Sequence, residues 1–230
     1  MTNTNKSNPE RPIRWLVTLG PTHEPIDQVR FIGNRSSGRM GFEIAKAAKE
    51  SGAQVRILAG PCSLPKIDSW TDVARFQTAA DLRKLLTTDW PNFDVLVMAA
   101  AVADWRVVGA PLVGKIRRDA TPPVLQLEPV AEIVGNLQTR HNQFVVGFAL
   151  EPKDEVIANA RQKLLVKKVD CIVANSLETL EGAQSDARIV WGDGRILTHG
   201  ESSEFAAKSK VARWIVKAVS PSITQKCRDR

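Results

Sequence analysis

Asp94-Val95-Leu96-Val97-Met98-Ala99 is an apolar run without the polar alternation of a half-exposed strand. A strand that is buried on both faces has this character, which is typical of parallel sheets covered by helices on both sides. Trp15–Leu19 has the same character and is followed by Gly20-Pro21, a strong turn signal. The two runs therefore predict neighbouring strands of one buried, mostly parallel sheet.

Strand and helix patterns alternate through the rest of the chain. Further strands are predicted at Gln54–Ala59, Val73–Gln77, Phe144–Phe148 and Cys171–Ala174. Helices are predicted at Gly41–Ser51, Ala80–Thr87, Pro129–Arg140 and Glu155–Lys168. Because alternation of this kind forms right-handed βαβ units, we expect an α/β fold, a doubly wound Rossmann-like sheet with helices on both faces.

The C-terminal part has a different pattern. Arg188–Trp191 and Arg195–Thr198 flank Gly192-Asp193-Gly194, which predicts a β-hairpin, and Ser203–Val219 predicts a final amphipathic helix. Asp104–Pro123 and Leu177–Ala187 are long loops of the kind that act as flaps or binding segments. We expect a flexible leader at 1–12, a single nucleotide-binding domain at 13–220 and a polar tail at 221–230.

The composition is that of an ordinary globular protein. The chain has 230 residues, of which 43% are hydrophobic and 25% charged, enough for one α/β domain. Cys62, Cys171 and Cys227 have no CxxC spacing, which argues against disulfides and against zinc. No apolar stretch approaches the roughly 20 residues of a membrane span. We expect a cytoplasmic protein with no membrane association and no metal held by protein ligands alone.

The charge favours an acidic ligand. The formal net charge of +7 fits an enzyme whose substrates are phosphates and also fits a nucleic-acid binder. However, no basic run is interleaved with aromatic residues, as a nucleic-acid surface would require. We therefore expect small-molecule partners and no nucleic acid.

The segment Asn34-Arg35-Ser36-Ser37-Gly38-Arg39-Met40-Gly41 immediately precedes a predicted helix. Its glycines allow close backbone approach, its serines supply hydroxyl groups, and a helix N-terminus attracts anions, so the segment fits a phosphate site. A serine N-cap followed by a tight turn explains the same residues. The segment is neither a GxxxxGK[ST] loop nor the GxGxxG fingerprint of dinucleotide-binding folds.

Three other clusters carry possible chemistry. Ala99–Trp105 follows a buried strand, and its Asp104 fits either a ligand or magnesium contact or a helix cap. Lys115-Ile116-Arg117-Arg118 is either a mobile flap over phosphates or a solvated charge run. Lys163 and Lys167 share one helix face, which is either a nucleotide contact or an ordinary basic surface, while Phe148 is either a core residue or a base-stacking residue.

The order and spacing of these segments resemble one family closely. Thr22–Ile32 leads into Asn34–Gly41, and Ala99–Asp104, Lys115-Ile116-Arg117, Val146–Ala149 and Cys171–Asn175 follow. Together they resemble the phosphopantothenate–cysteine ligases (phosphopantothenoylcysteine synthetases) of coenzyme A biosynthesis, from about Trp15 to Asn175. Because the chain starts shortly before the first strand, we expect a stand-alone synthetase without the flavin decarboxylase domain, and a separate phosphopantothenoylcysteine decarboxylase as a candidate partner.

The resemblance implies a homodimeric ligase that joins 4'-phosphopantothenate to cysteine through an acyl-cytidylate, with CTP as co-substrate and Mg²⁺ on its phosphates. It implies catalytic roles for Asn34 and Lys115, and substrate contacts for Arg30, Asn34 and Asn175. Asn34 would stabilise the acyl-nucleotide, since its amide donates hydrogen bonds without titrating. The implied nucleotide-binding residues are Ser36, Ser37, Gly38, Gly41, Ala100, Asp104, Lys115, Ala131, Glu132, Ile133, Phe148, Lys163 and Lys167.

The chain departs from the family pattern at three places. Val130-Ala131-Glu132-Ile133 stands where Asn-Pro-Asp-Ile is common, and Ala183–Ala187 lacks the usual Phe and Asn around Ser185-Asp186. Leu19-Gly20-Pro21-Thr22 replaces Ala-Gly-Gly-Thr, so that Pro21 removes a backbone donor. The altered segments 130–133 and 183–187 motivate a second hypothesis, a nucleotide-binding paralogue with impaired catalysis.

A third hypothesis is a nicotinamide-dependent oxidoreductase of the short-chain class, because its alternation of strands and helices is similar. The chain contains no tyrosine, so the Tyr-x-x-x-Lys base of that class is missing, and so is its glycine fingerprint. The sequence therefore favours the ligase over the oxidoreductase.

Overall fold

A computed structural model describes residues 11–64, 67, 69–70, 72–118, 124–180, 182–200 and 206–228. The strands are β1 Arg14–Leu19, β2 His23–Pro25, β3 Phe31–Gly33, β4 Gln54–Ala59, β5 Val73–Arg75, β6 Val95–Met98, β7 Trp105–Val107, β8 Leu127–Pro129, β9 Phe144–Glu151, β10 Cys171–Ser176, β11 Gln184–Ser185, β12 Arg188–Trp191, β13 Ile196–Thr198 and β14 Ala206–Ala207. The α-helices are α1 Arg39–Glu50, α2 Ala79–Asp89, α3 Val156–Lys167 and α4 Lys208–Arg228.

Eight strands form the main sheet, in the order β13-β12-β10-β9-β6-β1-β4-β5. Six strands of this sheet, β10, β9, β6, β1, β4 and β5, are parallel to one another. Strands β12 and β13 extend the sheet beyond β10 in antiparallel pairs. From β1 the chain winds outward to β4 and β5, then returns to β6 on the other side of β1. The predicted doubly wound sheet is confirmed, and its switch point, where such folds bind ligands, lies between β1 and β6.

Successive side chains of the central strands point to opposite faces, and each face packs against helices. Val17 belongs to the core that contains residues of α1 and α4. Leu16, one residue away, belongs to the core that contains residues of α2 and α3. Because both faces are covered, the strands show the unbroken apolar runs from which the parallel sheet was predicted.

The predicted helix at Pro129–Arg140 is wrong. Strand β8 ends at Pro129, and only a short 3₁₀-helix, Val134–Asn136, follows. Two side chains occupy backbone groups that a helix would use: Glu132 accepts a 3.0 Å hydrogen bond from the Val134 amide, and Asn136 donates one of 2.7 Å to the Glu132 carbonyl. Such local bonds compete with helix formation.

Two segments near the limits of the described chain make contacts that the sequence did not indicate. Arg11 forms two 2.7 Å hydrogen bonds with the buried carboxylate of Asp94, although it lies in the predicted leader. Residues 1–10 of that leader, and 203–205 at the start of the predicted last helix, lie outside the described residues. Helix α4 continues to Arg228 because Ile223, beyond Pro221, is buried in the core. The predicted hairpin is present as β12 and β13.

Two small hairpin-like units extend from the carboxyl edge of the sheet. One is the antiparallel pair β2–β3, which follows β1, and the other is β7–β8, formed after β6. Strands β2 and β7 contact each other. The four strands β2, β3, β7 and β8 therefore form one projection beside the switch point. Much of the sequence between the predicted site segments belongs to this projection.

Candidate functional site

A cavity of about 600 Å³ lies at the carboxyl ends of the central strands. Many of the predicted site residues line it: Asn34, Ser36, Ser37, Gly38, Gly41, Ala100, Asp104, Ala131, Glu132, Ile133, Phe148, Lys163, Lys167 and Asn175. Residues that are far apart in sequence meet here because parallel strands end at the same edge. Arg30 and Lys115 are not among the residues that line the cavity.

Helix α1 starts at the cavity without a side-chain cap. Its N-cap is Gly38, in the left-handed conformation with φ of 70°, rather than a serine. The hydroxyl groups of Ser36 and Ser37 accept weak hydrogen bonds of 3.3 and 3.4 Å from the Gly38 and Arg39 amides. A helix start without a cap leaves amide donors and a positive dipole end available to an anion.

The glycines of this loop also serve packing. A Cβ atom at Gly41 would lie 2.7 Å from the Cβ of Leu19 and 3.1 Å from the Thr18 carbonyl oxygen. At Gly38 it would lie 3.1 Å from Leu19 and 3.2 Å from the sulfur of Cys62. The absence of side chains at both positions therefore lets α1 sit directly on the end of β1, which brings the helix start to the switch point.

Hydrogen bonds fix the small-residue segment after β6 alongside the end of β1. The Ala100 amide donates to the Thr18 hydroxyl at 3.1 Å, and the Ala103 amide donates to the Thr22 hydroxyl at 2.9 Å. Pro21 pairs with Ala101 as an isolated parallel bridge. In that bridge the Ala101 amide donates to the Gly20 carbonyl, and the Thr22 amide donates to the Ala101 carbonyl. The bridge therefore does not need an N–H group on Pro21. Pro21 is also not among the residues that line the cavity.

Asp104 places an exposed carboxylate at the end of this segment. Its backbone carbonyl accepts a 2.9 Å hydrogen bond from the Val130 amide, whereas its carboxylate accepts none from any residue that the structure describes. No helix begins there, so the capping interpretation is wrong. Among the described residues, no three His, Cys, Asp or Glu side chains are grouped as a protein metal site would require. Asp104 and Glu132 nevertheless fit a magnesium ion carried by phosphates, which needs only one or two carboxylates.

The two lysines of α3 are paired with carboxylates at the cavity wall. Lys163 bonds to Glu151 at 2.5 Å, and Lys167 lies 3.4 Å from Glu132. Burial raises the pKa of Glu151, but hydrogen bonds from Lys163 and Asn159 outweigh it, so the pKa is lowered overall. Glu151 therefore remains ionised at neutral pH and keeps Lys163 directed along the wall.

Asn175 is buried and holds the loop that follows β10. Its amide nitrogen donates to the Ser185 hydroxyl at 2.7 Å and also to the Asp186 carbonyl. The Asp186 carboxylate accepts a 3.0 Å bond from the Ser176 amide. Ser185 and Asp186, the two residues of this flap that match the family pattern, thus keep the flap against the sheet.

Phe148 is half-buried. It packs against the core that contains α1 and α4, and it also lines the cavity. The structure therefore accommodates both interpretations of this residue, because one face of the ring belongs to the core and the cavity is beside it.

Arg30 and Lys115 lie on a separate network outside the cavity. The buried carboxylate of Asp27 bonds to Arg30 at 2.5 Å and accepts a 3.1 Å bond from the Ile116 amide. Arg30 in turn donates to the Ile116 carbonyl at 3.1 Å. Asp27 therefore joins the turn before β3 to the basic loop, and Lys115, next to Ile116, is exposed to solvent. The roles predicted for Arg30 and Lys115 stay predictions.

The sequence predictions did not include every residue that lines this site, and a charged example is Lys208. Lys208, the first residue of α4, lines the cavity from the side of the Ser185 loop. In the sequence it is one of several basic residues in an amphipathic helix, and no signal distinguishes it from its exposed neighbour Lys210. Only the tertiary fold brings it to the cavity.

Within the part of the chain that the structure describes, none of the helices has both the length and the apolar character for crossing a bilayer.

Curated relatives share this region of sequence. The chain is 35% identical over 211 residues to the coenzyme A biosynthesis bifunctional protein CoaBC of Mycobacterium tuberculosis, covering 85% of this chain and 50% of that protein. It is 36% identical over 189 residues to CoaBC of Escherichia coli, covering 78% and 46%. A cysteine/cysteine sulfinic acid decarboxylase of an unknown prokaryotic organism is 40% identical over 183 residues, covering 76% and 50%. The chain thus spans about half the length of these relatives.

Solved structures agree with the topology. The crystal structure of the C-terminal domain of CoaBC has a TM-score of 0.75 at 31% identity, covering 93% of this chain and 96% of that one. A Cab2 variant in complex with phosphopantothenate-cysteine has a TM-score of 0.75 at 18% identity, covering 94% and 88%, and at that identity the likeness shows the fold alone.

The family match covers most of the described sheet and every segment that lines the cavity. It spans residues 11–222 and carries the description "DNA/pantothenate metabolism flavoprotein C-terminal domain". The chain therefore belongs to the DNA/pantothenate metabolism flavoprotein C-terminal domain family.

Proposed function

We propose that this protein is a phosphopantothenate–cysteine ligase of coenzyme A biosynthesis. One observation carries the proposal: the cavity at the switch point combines an uncapped helix start, the amide of Asn34 and several cationic side chains. That combination suits a nucleoside triphosphate next to a reacting carboxylate. The similarity to CoaBC proteins, which are named for coenzyme A biosynthesis, supports the same pathway.

The first step activates the acid. A carboxylate oxygen of 4'-phosphopantothenate attacks the α-phosphorus of CTP, an O–P bond forms, and the bond between the α-phosphorus and its bridging oxygen to the β-phosphate breaks. Pyrophosphate leaves with the bond electrons, and an acyl-cytidylate remains. Charge increases on the departing oxygens, so positive groups fixed at the start of α1 lower the barrier.

The second step forms the amide. The amino nitrogen of cysteine attacks the acyl carbon, a C–N bond forms, the bond from that carbon to the phosphate oxygen breaks, and CMP leaves. The nitrogen loses one proton to solvent. Asn34 can donate an amide N–H to the acyl-nucleotide, and it remains neutral across the pH range in which the amine reacts.

The walls of the cavity suggest how the nucleotide is held. Ser36–Gly41 supply phosphate contacts, while the flat segment at Ala100 leaves space for the nucleoside. Lys163 and Lys167 are placed to exchange their carboxylate partners for ligand oxygens. Mg²⁺, when bound on the phosphates, would neutralise part of their charge, with Asp104 or Glu132 as the protein carboxylate.

Lys115 would reach the triphosphate through movement of its loop or from a second subunit. The exposed apolar residues around that loop favour the second subunit. Phe31, Trp105 and Leu127, on β3, β7 and β8, are 50%, 52% and 47% exposed. Large aromatic side chains exposed together on one projection are typical of protein contacts. The protein is therefore proposed to be a homodimer that pairs through these strands.

The dimer can be tested by replacing Trp105 with lysine. Sedimentation velocity should give a dimer for the unmodified chain and a monomer for Trp105→Lys. Trp70→Lys is not a suitable control because Trp70 packs on the core, so Leu165→Lys serves instead, at an exposed residue of α3 that is not part of the projection. A chain that is monomeric before any substitution would contradict the proposal.

Release of pyrophosphate tests the ligase itself. Purified protein is incubated with 4'-phosphopantothenate, cysteine, magnesium and either CTP or ATP, and pyrophosphate is measured. We expect release that depends on phosphopantothenate and is faster with CTP than with ATP. Absence of release with both nucleotides would reject the ligase.

The altered segments 130–133 and 183–187 favour one alternative, a nucleotide-binding paralogue with impaired catalysis. Their local structure argues against a simple loss of the site, because Glu132 and Ser185 still line the cavity. The two functions are separated by measuring CTP binding together with pyrophosphate release: binding without release supports the paralogue, whereas both together support the ligase.

A further inference from the structure

Lys208 lines the cavity although it is only 7% exposed. Two backbone contacts with the segment at 183–185 fix its position. The short strand β14 before it pairs with β11, and its own amide donates a 3.1 Å hydrogen bond to the Ala183 carbonyl. Buried lysines are rare unless a partner compensates for the lost hydration of the ammonium group.

The described part of the chain contains no such partner. Among the residues that the structure describes, no carboxylate lies within ion-pair distance of Lys208, and its ammonium group donates no hydrogen bond to them. The nearby charge is another cation, Arg39, the first residue of α1, which also lines the cavity. Burial, with a further contribution from the charge of Arg39, lowers the pKa of Lys208.

The other lysines of the cavity differ in this respect. Lys163 and Lys167 are each neutralised by a glutamate of the same wall. Lys208, Arg39 and the uncapped start of α1 instead give one side of the cavity positive charge for which the described residues supply no counterion. Holding like charges together in a partly desolvated place costs free energy, and a bound anion would recover it.

We infer that Lys208, together with Arg39 and the amide groups at the start of α1, binds the pyrophosphate portion of the nucleotide triphosphate. The inference rests on the proposed function for the identity of the nucleotide. The densely charged β- and γ-phosphates match a region with three sources of positive charge. A Lys ammonium group contributes there as a point charge that also stabilises the leaving pyrophosphate.

The phosphate of 4'-phosphopantothenate is chemically similar and is the other source of such an anion. The experiment therefore uses inorganic pyrophosphate, CTP, CMP and 4'-phosphopantothenate as separate titrants in calorimetry, with magnesium present and the full chain as the protein. The variants are Lys208→Met, Lys208→Arg and, as the matched control on the same helix, the exposed change Lys210→Met.

We expect Lys208→Met to weaken pyrophosphate and CTP binding by about tenfold or more, the usual scale of a lost charge-assisted hydrogen bond. CMP and phosphopantothenate should change by less than about twofold, Lys208→Arg should restore part of the loss, and Lys210→Met should bind as the unmodified chain does. Unchanged pyrophosphate binding in Lys208→Met would overturn the inference. So would an equal loss for CMP, or a loss confined to phosphopantothenate.

Folding and ligase activity are controlled separately. If Lys208→Met does not fold, as judged by its thermal unfolding midpoint, Arg39→Gln carries the same test, because Arg39 is exposed and the same selective loss is expected. Pyrophosphate binding does not require turnover. A chain that binds pyrophosphate through Lys208 but never releases it from CTP would reject the proposed function and leave this inference standing.

Discussion

The side-chain amide of Asn34 donates a 2.9 Å hydrogen bond to the backbone carbonyl of Val102. This bond ties the start of the phosphate loop to the small-residue segment after β6, across the switch point of the sheet. An amide nitrogen carries two hydrogens, so Asn34 retains a second donor for a ligand. Asn34 is therefore held in a fixed direction at the place where the proposed acyl centre would lie.

Replacing Asn34 with aspartate should slow pyrophosphate release by at least about 100-fold, the scale of losing one oxyanion donor. A carboxylate also repels the Val102 carbonyl, so we measure CTP affinity separately and expect it to change far less than turnover. Asn142→Asp makes the same chemical change away from the cavity and should have no effect on either quantity. Near-normal turnover of Asn34→Asp would remove Asn34 from the mechanism.

Replacing Gly41 with alanine should lower the free energy of unfolding by roughly 1–3 kcal/mol, the usual cost of overpacking. The added Cβ would lie 2.7 Å from the Cβ of Leu19, so α1 must shift away from β1. Gly192→Ala is the control, because nothing lies within 4 Å of a Cβ there. Urea unfolding measures both variants, and equal stability of the two would contradict the packing role of Gly41.

Replacing Lys167 with methionine should raise the KM for CTP several-fold with a smaller effect on kcat. Lys167 is 3.4 Å from Glu132 and half-exposed, so the exposed pair itself adds at most about 1 kcal/mol to stability. A change in folding is therefore not expected to obscure the kinetic effect. Lys153→Met, at an exposed lysine outside the cavity, provides the comparison. If both variants have the same KM, Lys167 does not contact the nucleotide.

Acid should release the loop that Asp27 holds. Burial raises the pKa of Asp27, but hydrogen bonds from Val29, Ile116 and Arg30 lower it to about 2 in the folded chain. The unfolded value is about 3.9, so the stabilisation is complete above that pH and is lost as the pH falls towards 2. The unmodified chain should therefore have the higher urea midpoint at pH 5, and its difference from Asp27→Asn should become smaller as the pH is lowered to 2.5.

The matched comparison for that experiment is Asp154→Asn, at an exposed carboxylate. Its urea midpoint should follow that of the unmodified chain at every pH. A constant difference between the unmodified chain and Asp27→Asn across the whole range would show that titration of Asp27 does not contribute.

Lys115→Gln should mainly weaken use of the nucleotide. Because Lys115 is exposed and outside the cavity in the single chain, the effect should disappear in a monomeric Trp105→Lys background if the residue acts across the dimer. Pyrophosphate release measured against CTP concentration tests this. Unchanged affinity and turnover in the dimer would exclude Lys115 from the site.

The sequence by itself determined the sheet and much of the cavity. Runs such as Val95–Met98 are apolar on both faces, which is typical of a parallel sheet covered by helices on both sides. Right-handed connections between parallel strands bring the carboxyl ends of β1 and β6 to one edge of the sheet. The resemblance predicted Asn34, Ala100 and Asp104 as residues of one site, and all three line the cavity.

Local patterns failed where side chains compete for the backbone. The apolar spacing around Ile133 and Val134 is compatible with a helix, but the hydrogen bonds of Glu132 and Asn136 favour a 3₁₀ turn instead. The spacing of apolar residues indicates which residues are buried, but it does not indicate which acceptor a backbone amide will bond to. The predicted end of α4 was also wrong, but for a different reason: burial of Ile223 extends the helix past Pro221.

Only the tertiary structure decided which charges are neutralised. The sequence singles out Lys163 and Lys167 by their shared helix face, but it does not distinguish Lys208 from its basic neighbours and does not show which of the three has an acidic partner. In the fold Lys163 and Lys167 pair with glutamates, while Lys208 is buried beside Arg39 and has no acidic partner among the residues with described positions. Pairing depends on contacts between residues that are distant in the chain, and electrostatic free energy depends on burial, so both quantities exist only once the chain has folded.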